Sequence, residues 1–141
     1  MDIKEKVSQL PATPGVYIMK DSMGGVLYVG KAINLKKRVS SYFSPGRALS
    51  ERIRILTAKV ADITYVGTST EAEALIYENS LIKQLVPKYN VALKDDKSYP
   101  SLKLTVNEKF PRIFIARVRT KDGAIYYGPY TSAKLLKEAL A

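Results

Sequence analysis

Five residues stand out for the chemistry that their types and spacing permit: Tyr17, Tyr28, Lys31, Arg38 and Glu78. Gly15 to Lys20 and Val26 to Gly30 read as two strands joined through the turn-forming run Asp21-Ser22-Met23-Gly24-Gly25, which makes a hairpin. A turn centred between Ser22 and Met23 sets Tyr17 opposite Tyr28 and Gly15 opposite Gly30, although a bulge at Gly24-Gly25 would shift that register. Tyrosine is a favoured strand residue, so the pair alone reads as packing. Lys31 directly follows the second strand, and Asn34, Arg38 and Tyr42 recur at helical spacing. Cations beside a phenol favour its ionised form and make it a better base, and a guanidinium can grip a phosphate with two hydrogen bonds. Lys36 and Lys37 read as a solvated helix face.

Glu78 is singled out by its company. Leu75, Glu78, Ile82 and Leu85 fall on one helix face, so a carboxylate sits on an apolar stripe. Such a group needs a partner, either a buried Lys or Arg or a divalent cation, and the pattern leaves both open. Glu71 and Glu73 fit solvated or capping roles.

The elements that must position these residues follow from pattern and punctuation. Helices are expected from about Ile33 to Phe43, stopped by Ser44-Pro45-Gly46, and from Ser50 to Lys59 with Ile53, Leu56 and Val60 inward. Ile63 to Val66 is a short strand. Thr70-Glu71-Ala72-Glu73 has the form of a capping box, opening a helix that runs to about Leu85 before Pro87. Lys88 to Pro100 reads as loop. Ser101 to Val106, Arg112 to Arg119 and Ala124 to Tyr127 read as strands, with Lys121-Asp122-Gly123 as a turn, and Thr131 or Ser132 caps a closing helix. The division is a domain at 1–96 and a β-rich extension at 97–141.

Composition narrows the chemistry. The 141 residues include no Cys and no His, which removes thiolate ligands, a Cys nucleophile and the commonest general base. Hydrolysis would have to use Tyr, Lys, Asp or Glu, with a hard, oxygen-seeking metal where one is needed. A formal net charge of +10 favours a polyanionic partner, nucleic acid first among them. The charged start Met1-Asp2-Ile3-Lys4-Glu5-Lys6 does not read as a secretory signal, no apolar run suits a membrane span, and the absence of cysteine fits a cytoplasmic protein.

Gly15-Val16-Tyr17 and Tyr28-Val29-Gly30 resemble the paired tripeptides of the GIY-YIG endonucleases, with Val in place of Ile in both. Lys31-Ala32, Arg38, Glu78-Asn79-Ser80-Leu81-Ile82-Lys83 and Pro87-Lys88-Tyr89-Asn90-Val91 extend the likeness to the UvrC-type incision domain, and Tyr99-Pro100 and Tyr127-Gly128-Pro129-Tyr130-Thr131-Ser132 resemble the segment that follows it. The resemblance implies an α+β fold, a small central antiparallel sheet flanked by helices. It implies Tyr28 as general base, Tyr17 assisting by hydrogen bonding, Lys31 and Arg38 stabilising charge on the phosphate, and Glu78 as the one protein ligand to a Mg²⁺ or Mn²⁺. Tyr42, Asn90 and Gly30 would support the site.

The same resemblance implies incision on the 3′ side of a lesion in double-stranded DNA, directed by a UvrB-like partner. A chain that stops at Ala141 within an expected helix reads as the N-terminal part of a longer protein. A stand-alone endonuclease of the same family is the alternative enzyme, which the segment from Tyr99 to Ser132 disfavours for the homing type. A non-catalytic basic nucleic-acid-binding module is the alternative of another class; binding alone needs no inward carboxylate.

Overall fold

The computed structural model describes residues 2–44, 50–90 and 100–140. The expected stop at Pro45-Gly46, Tyr99, most of the expected 88–100 loop and the division at 96/97 lie outside the described residues.

Three strands, β1 (Gly15–Lys20), β2 (Val26–Ala32) and β3 (Asp62–Gly67), form an antiparallel sheet in the order β2-β1-β3. Its hairpin turns through Asp21 to Gly25, as expected. Asp21 Oδ1 accepts from the Met23 and Gly25 amides, and Gly24 takes the left-handed conformation that a side chain would resist. A bulge follows, because Lys20 pairs with Val26 while Met19 pairs with Tyr28, which leaves Leu27 as the extra residue. The register therefore differs from expectation. Tyr17 lies opposite Gly30, and Gly15 opposite Ala32, rather than opposite Tyr28 and Gly30. The slip is an even number of residues, so Tyr17 and Tyr28 still share a face, as diagonal neighbours.

That face is covered by three helices: α1 (Ile3–Ser8), α2 (Leu35–Phe43) and α3 (Glu51–Lys59). Tyr17, Met19, Leu35, Val39, Tyr42 and Leu56 are buried between them. Helix α1 was not legible beforehand: it is a single short segment whose buried contribution is Val7. Helix α2 begins two residues later than expected, because Asn34 is its N-cap and accepts from the Lys37 amide at 3.0 Å, while Ile33 is exposed. Ser50 caps α3 in the same way, accepting from Ile53.

The opposite face carries α4 (Glu71–Leu85), which packs Ala74 and Ile82 against Val16 and Val29. Thr70 accepts from the Glu73 amide, and Glu73 reaches back to the Ser69 amide, one residue before the cap. The helix ends with Val86 in a left-handed conformation before Pro87, its amide bonded to the Ile82 carbonyl.

The remaining strands, β4 (Ser101–Leu104), β5 (Ile113–Ala116) and β6 (Ile125–Tyr127), form a second antiparallel sheet in the order β5-β4-β6, followed by α5 (Ala133–Leu140). Each is shorter than its sequence pattern. Leu135 and Leu136 of α5, with Tyr130, pack on Leu75 of α4, so the α+β extension shares an apolar core with the long helix. Burying a leucine of this kind contributes roughly 1.5–3 kcal/mol. Among the described residues no helix is long and apolar enough to cross a membrane.

Candidate active site

The hairpin, α2 and α4 bring the singled-out residues to the outer edge of β2. Tyr17 is fully buried and its hydroxyl lies 2.8 Å from that of Tyr42. The Tyr17 ring centroid is 6.1 Å from Tyr28 and 6.0 Å from Tyr42, a three-ring cluster. Gly30 makes the cluster possible: a Cβ at this position would collide with the Tyr17 ring and hydroxyl. Tyr28 reaches the surface, lining a cleft of about 260 Å³ with Arg38, Tyr42, Arg52 and Tyr89. Arg38 stands over the Tyr42 ring, 5.2 Å from its centroid, and also lines an adjoining groove with Lys31 and Glu71. It therefore stands, as an exposed residue, where the two openings meet.

Electrostatics in the cluster run partly against the simple expectation that nearby cations ionise the phenol. Burial, then the neighbouring Tyr42 and Glu78, push Tyr28 up to about 12, and this outweighs the opposite pull of Arg38 and the Tyr17 hydroxyl. Burial likewise holds Tyr17 well above the ordinary phenol range. At Arg38 partial burial opposes the charge, yet Tyr17, Tyr42 and Tyr28 outweigh it and keep the guanidinium firmly protonated.

Asn90 acts on the edge strand itself. Its Oδ1 accepts from the Val29 amide at 2.8 Å, and its Nδ2 donates to the Val29 carbonyl at 2.9 Å. The side-chain amide thus takes the place of a further strand, satisfying the free edge of β2 between Tyr28 and Gly30.

Glu78 lies on the α4 side of this edge, 6% exposed. Among the described residues two hydrogen bonds reach its carboxylate: the Lys31 amide donates to Oε2 at 3.1 Å, and the Thr131 hydroxyl donates to Oε1 at 3.0 Å. Burial raises its carboxyl above the ordinary range, while Thr131 and Lys31 pull it back. The Lys31 ammonium does not serve as its close ion-pair partner; it pairs with Glu71 at 3.4 Å. Lys31 therefore enters the site through its backbone, and its side chain through Glu71.

Whether a hard cation suits this position can be judged from the donors. No group of three or more acidic side chains occurs among the described residues. A carboxylate offers about four acceptor directions, of which two are used among the described residues. Magnesium commonly accepts one or two carboxylates and keeps several waters. One buried carboxylate, oriented by hydrogen bonds at both oxygens, fits that habit.

The structure brings together Tyr17, Tyr28, Tyr42, Gly30, Asn90 and Arg38 around β2, and Lys31 and Glu78 at its end. Thr131 was missed. The sequence left the cap of the last helix to Thr131 or Ser132, and Ser132 takes it, accepting from the Leu135 amide at 3.2 Å. Nothing local in the sequence marks a contact to Glu78 from so far along the chain.

A model of the UvrC-like GIY-YIG domain matches residues 13–91. UvrABC system protein C of Moorella thermoacetica is 54% identical over 99% of this chain, and that of Methanococcoides burtonii 49% identical over 98%. The chain spans 22% and 23% of those relatives' lengths. The GIY-YIG N-terminal endonuclease domain of UvrC from Thermotoga maritima, solved bound to its catalytic magnesium, is 36% identical and superposes with a TM-score of 0.56. That match covers 62% of this chain and 94% of that one. The expected fold is the observed one, and the chain belongs to the UvrC-like GIY-YIG family of endonuclease domains.

Proposed function

We propose that this chain is the module that incises DNA on the 3′ side of a lesion in nucleotide excision repair, in the cytoplasm, within a longer protein that a UvrB-like partner directs to the damage. The observation that carries the chemistry is Glu78: a buried carboxylate oriented at both oxygens, at the strand edge that presents Tyr28. The division into a nuclease unit at 1–96 and an extension at 97–141 is part of the same proposal.

The roles follow from placement. Glu78 holds the divalent cation, Mg²⁺ or Mn²⁺. Arg38, between the two clefts, binds the scissile phosphate with paired N–H donors. Tyr28 takes the proton of the attacking water, and Tyr17 orients the Tyr28 hydroxyl from the next strand. Lys31 contributes positive charge near the phosphate, balanced at rest by Glu71. Tyr42, Gly30 and Asn90 fix the three-ring cluster and the strand that carries it. Bound at Glu78, a divalent cation supplies the charge that stabilises the leaving oxygen and draws a buried phenol toward its ionised form.

Phosphate contacts from a chain of +10 net charge make binding to undamaged duplex weaken steeply with salt. The deciding experiment is a nicking assay on lesion-bearing duplex with a UvrB-like partner and Mg²⁺, run with wild type and Glu78→Gln. Metal-dependent incision 3′ to the lesion, lost in the variant, supports the proposal. Retention of incision by Glu78→Gln, or its indifference to chelation of metal, overturns it.

A further inference from the structure

Glu78 sits at a seam. Its neighbours Ala74 and Ile82 on α4 face the central sheet, whereas Leu75 faces the extension. The carboxylate between them is gripped from both sides, by the β2 backbone at Lys31 and by the extension at Thr131.

The segment around Thr131 is held against α4 independently of that grip. The Asn79 side chain donates to the Pro129 carbonyl, Tyr130 packs on Leu75, the Tyr130 amide bonds the Pro100 carbonyl at 2.8 Å, and Ser132 caps α5. Thr131 itself is exposed, so its packing contributes little. What it adds is one hydroxyl aimed at one oxygen of the buried carboxylate. Residue 131 also lies beyond the 13–91 span of the family match.

We propose that Thr131 is a positioning residue for the cation site: its hydroxyl fixes the rotation of the Glu78 carboxylate, so that the remaining lone pairs point to a divalent ion. With the Lys31 amide alone, the carboxylate is held at one oxygen and can pivot about it. With Thr131 it is held at both, and the orientation is set before the ion arrives. Groups that orient a metal ligand in this way commonly change affinity by roughly 10–100-fold when removed. The extension thereby becomes part of the catalytic unit, through a residue that touches neither DNA nor the ion. This inference rests on the reading of Glu78 as the metal ligand.

The test is calorimetric titration of the full chain with Mn²⁺, for wild type, Thr131→Val, Thr131→Ser and Glu78→Gln. Thr131→Val keeps the shape and removes the donor; it is expected to weaken Mn²⁺ binding about tenfold, while circular dichroism stays as in wild type and metal-free melting falls only by the loss of one hydrogen bond. Thr131→Ser restores the hydroxyl and is expected to bind within about twofold of wild type. In a nicking assay, Thr131→Val should need about tenfold more Mg²⁺ for half-maximal rate and reach the wild-type maximum. Wild-type or tighter Mn²⁺ binding by Thr131→Val, with Glu78→Gln binding weakly, overturns the role of Thr131 and leaves the ligand intact. Equal binding by wild type and Glu78→Gln overturns both.

Discussion

Gly30 lies directly across the β1–β2 ladder from Tyr17, and the Tyr17 ring and hydroxyl fill the space that a Cβ at position 30 would occupy. The relationship explains why this edge strand carries a residue that ordinarily weakens strands. Tyr17 must lean over β2 to reach both Tyr28 and Tyr42, and only a missing side chain leaves room.

Gly30→Ala is therefore expected to displace Tyr17 and break its 2.8 Å bond to Tyr42. Overpacking of this kind costs about 1–3 kcal/mol, which urea unfolding will read. Incision should fall further than stability alone accounts for, because Tyr28 loses its neighbour. An alanine variant with wild-type melting and rate would show that the close approach is incidental.

Tyr28→Phe keeps the ring in the cluster and removes the hydroxyl. Single-turnover incision should fall nearly to background with the fold intact; normal cleavage would refute the general-base role. The same variant has a signature in metal-free protein. The folded-state pKa of about 12 exceeds the ordinary phenol value of 10.0, so the unfolded chain releases this proton first as pH rises. Stability from the neutral, buried hydroxyl is whole below pH 10.0 and is lost on the way up through about 12. The full effect is about 3 kcal/mol. Wild type should lose stability faster than Tyr28→Phe over this window; parallel curves would mean that the phenol is not held protonated by its surroundings.

Asn90→Ala removes both hydrogen bonds to Val29 and leaves the edge of β2 open between Tyr28 and Gly30. The expected loss is about 1–3 kcal/mol in denaturant unfolding. Incision should drop as well, since Tyr28 and Gly30 flank the released peptide. An unchanged rate in a destabilised protein would limit Asn90 to a structural role.

Local signals in the sequence found the local structure. Asn34, Ser50 and Thr70 cap their helices as oxygen-bearing residues should, and the stripe through Leu75, Glu78 and Ile82 is buried on α4. The Tyr pair was found on the right face but in the wrong register, because the bulge at Leu27 depends on how Asp21 and Gly24 close the turn. The contacts that complete the site were not legible, since they join distant parts of the chain. Asn90 to Val29, and Thr131 to Glu78, are bonds made by side chains that carry no periodic pattern. Helix α1 escaped for a different reason: it is too short to show a repeat.

The charge of Glu78 separates a metal site from a structural ion pair. Glu78→Gln keeps the shape, can still accept from Lys31 or Thr131, and weakens cation coordination. If the carboxylate serves a divalent ion, incision should collapse while the fold survives, because a neutral amide is less costly to bury than a carboxylate. The raised carboxyl pKa fixes the sign: burial opposes the charge, so neutralising it removes a cost that the two hydrogen bonds only partly offset. Metal-free Glu78→Gln should melt at or above wild type, and adding Mg²⁺ should raise the melting temperature of wild type alone. DNA binding should change little, since Lys and Arg supply the phosphate contacts. If Glu78 instead neutralises a buried cation, the same substitution strands that cation and costs about 3–5 kcal/mol, and cutting is lost only with the fold. The pairing of Lys31 with Glu71 argues for the first outcome. Thermal melts with and without Mg²⁺, run beside the nicking assay, decide between them, and a variant that cuts normally removes Glu78 from the metal site.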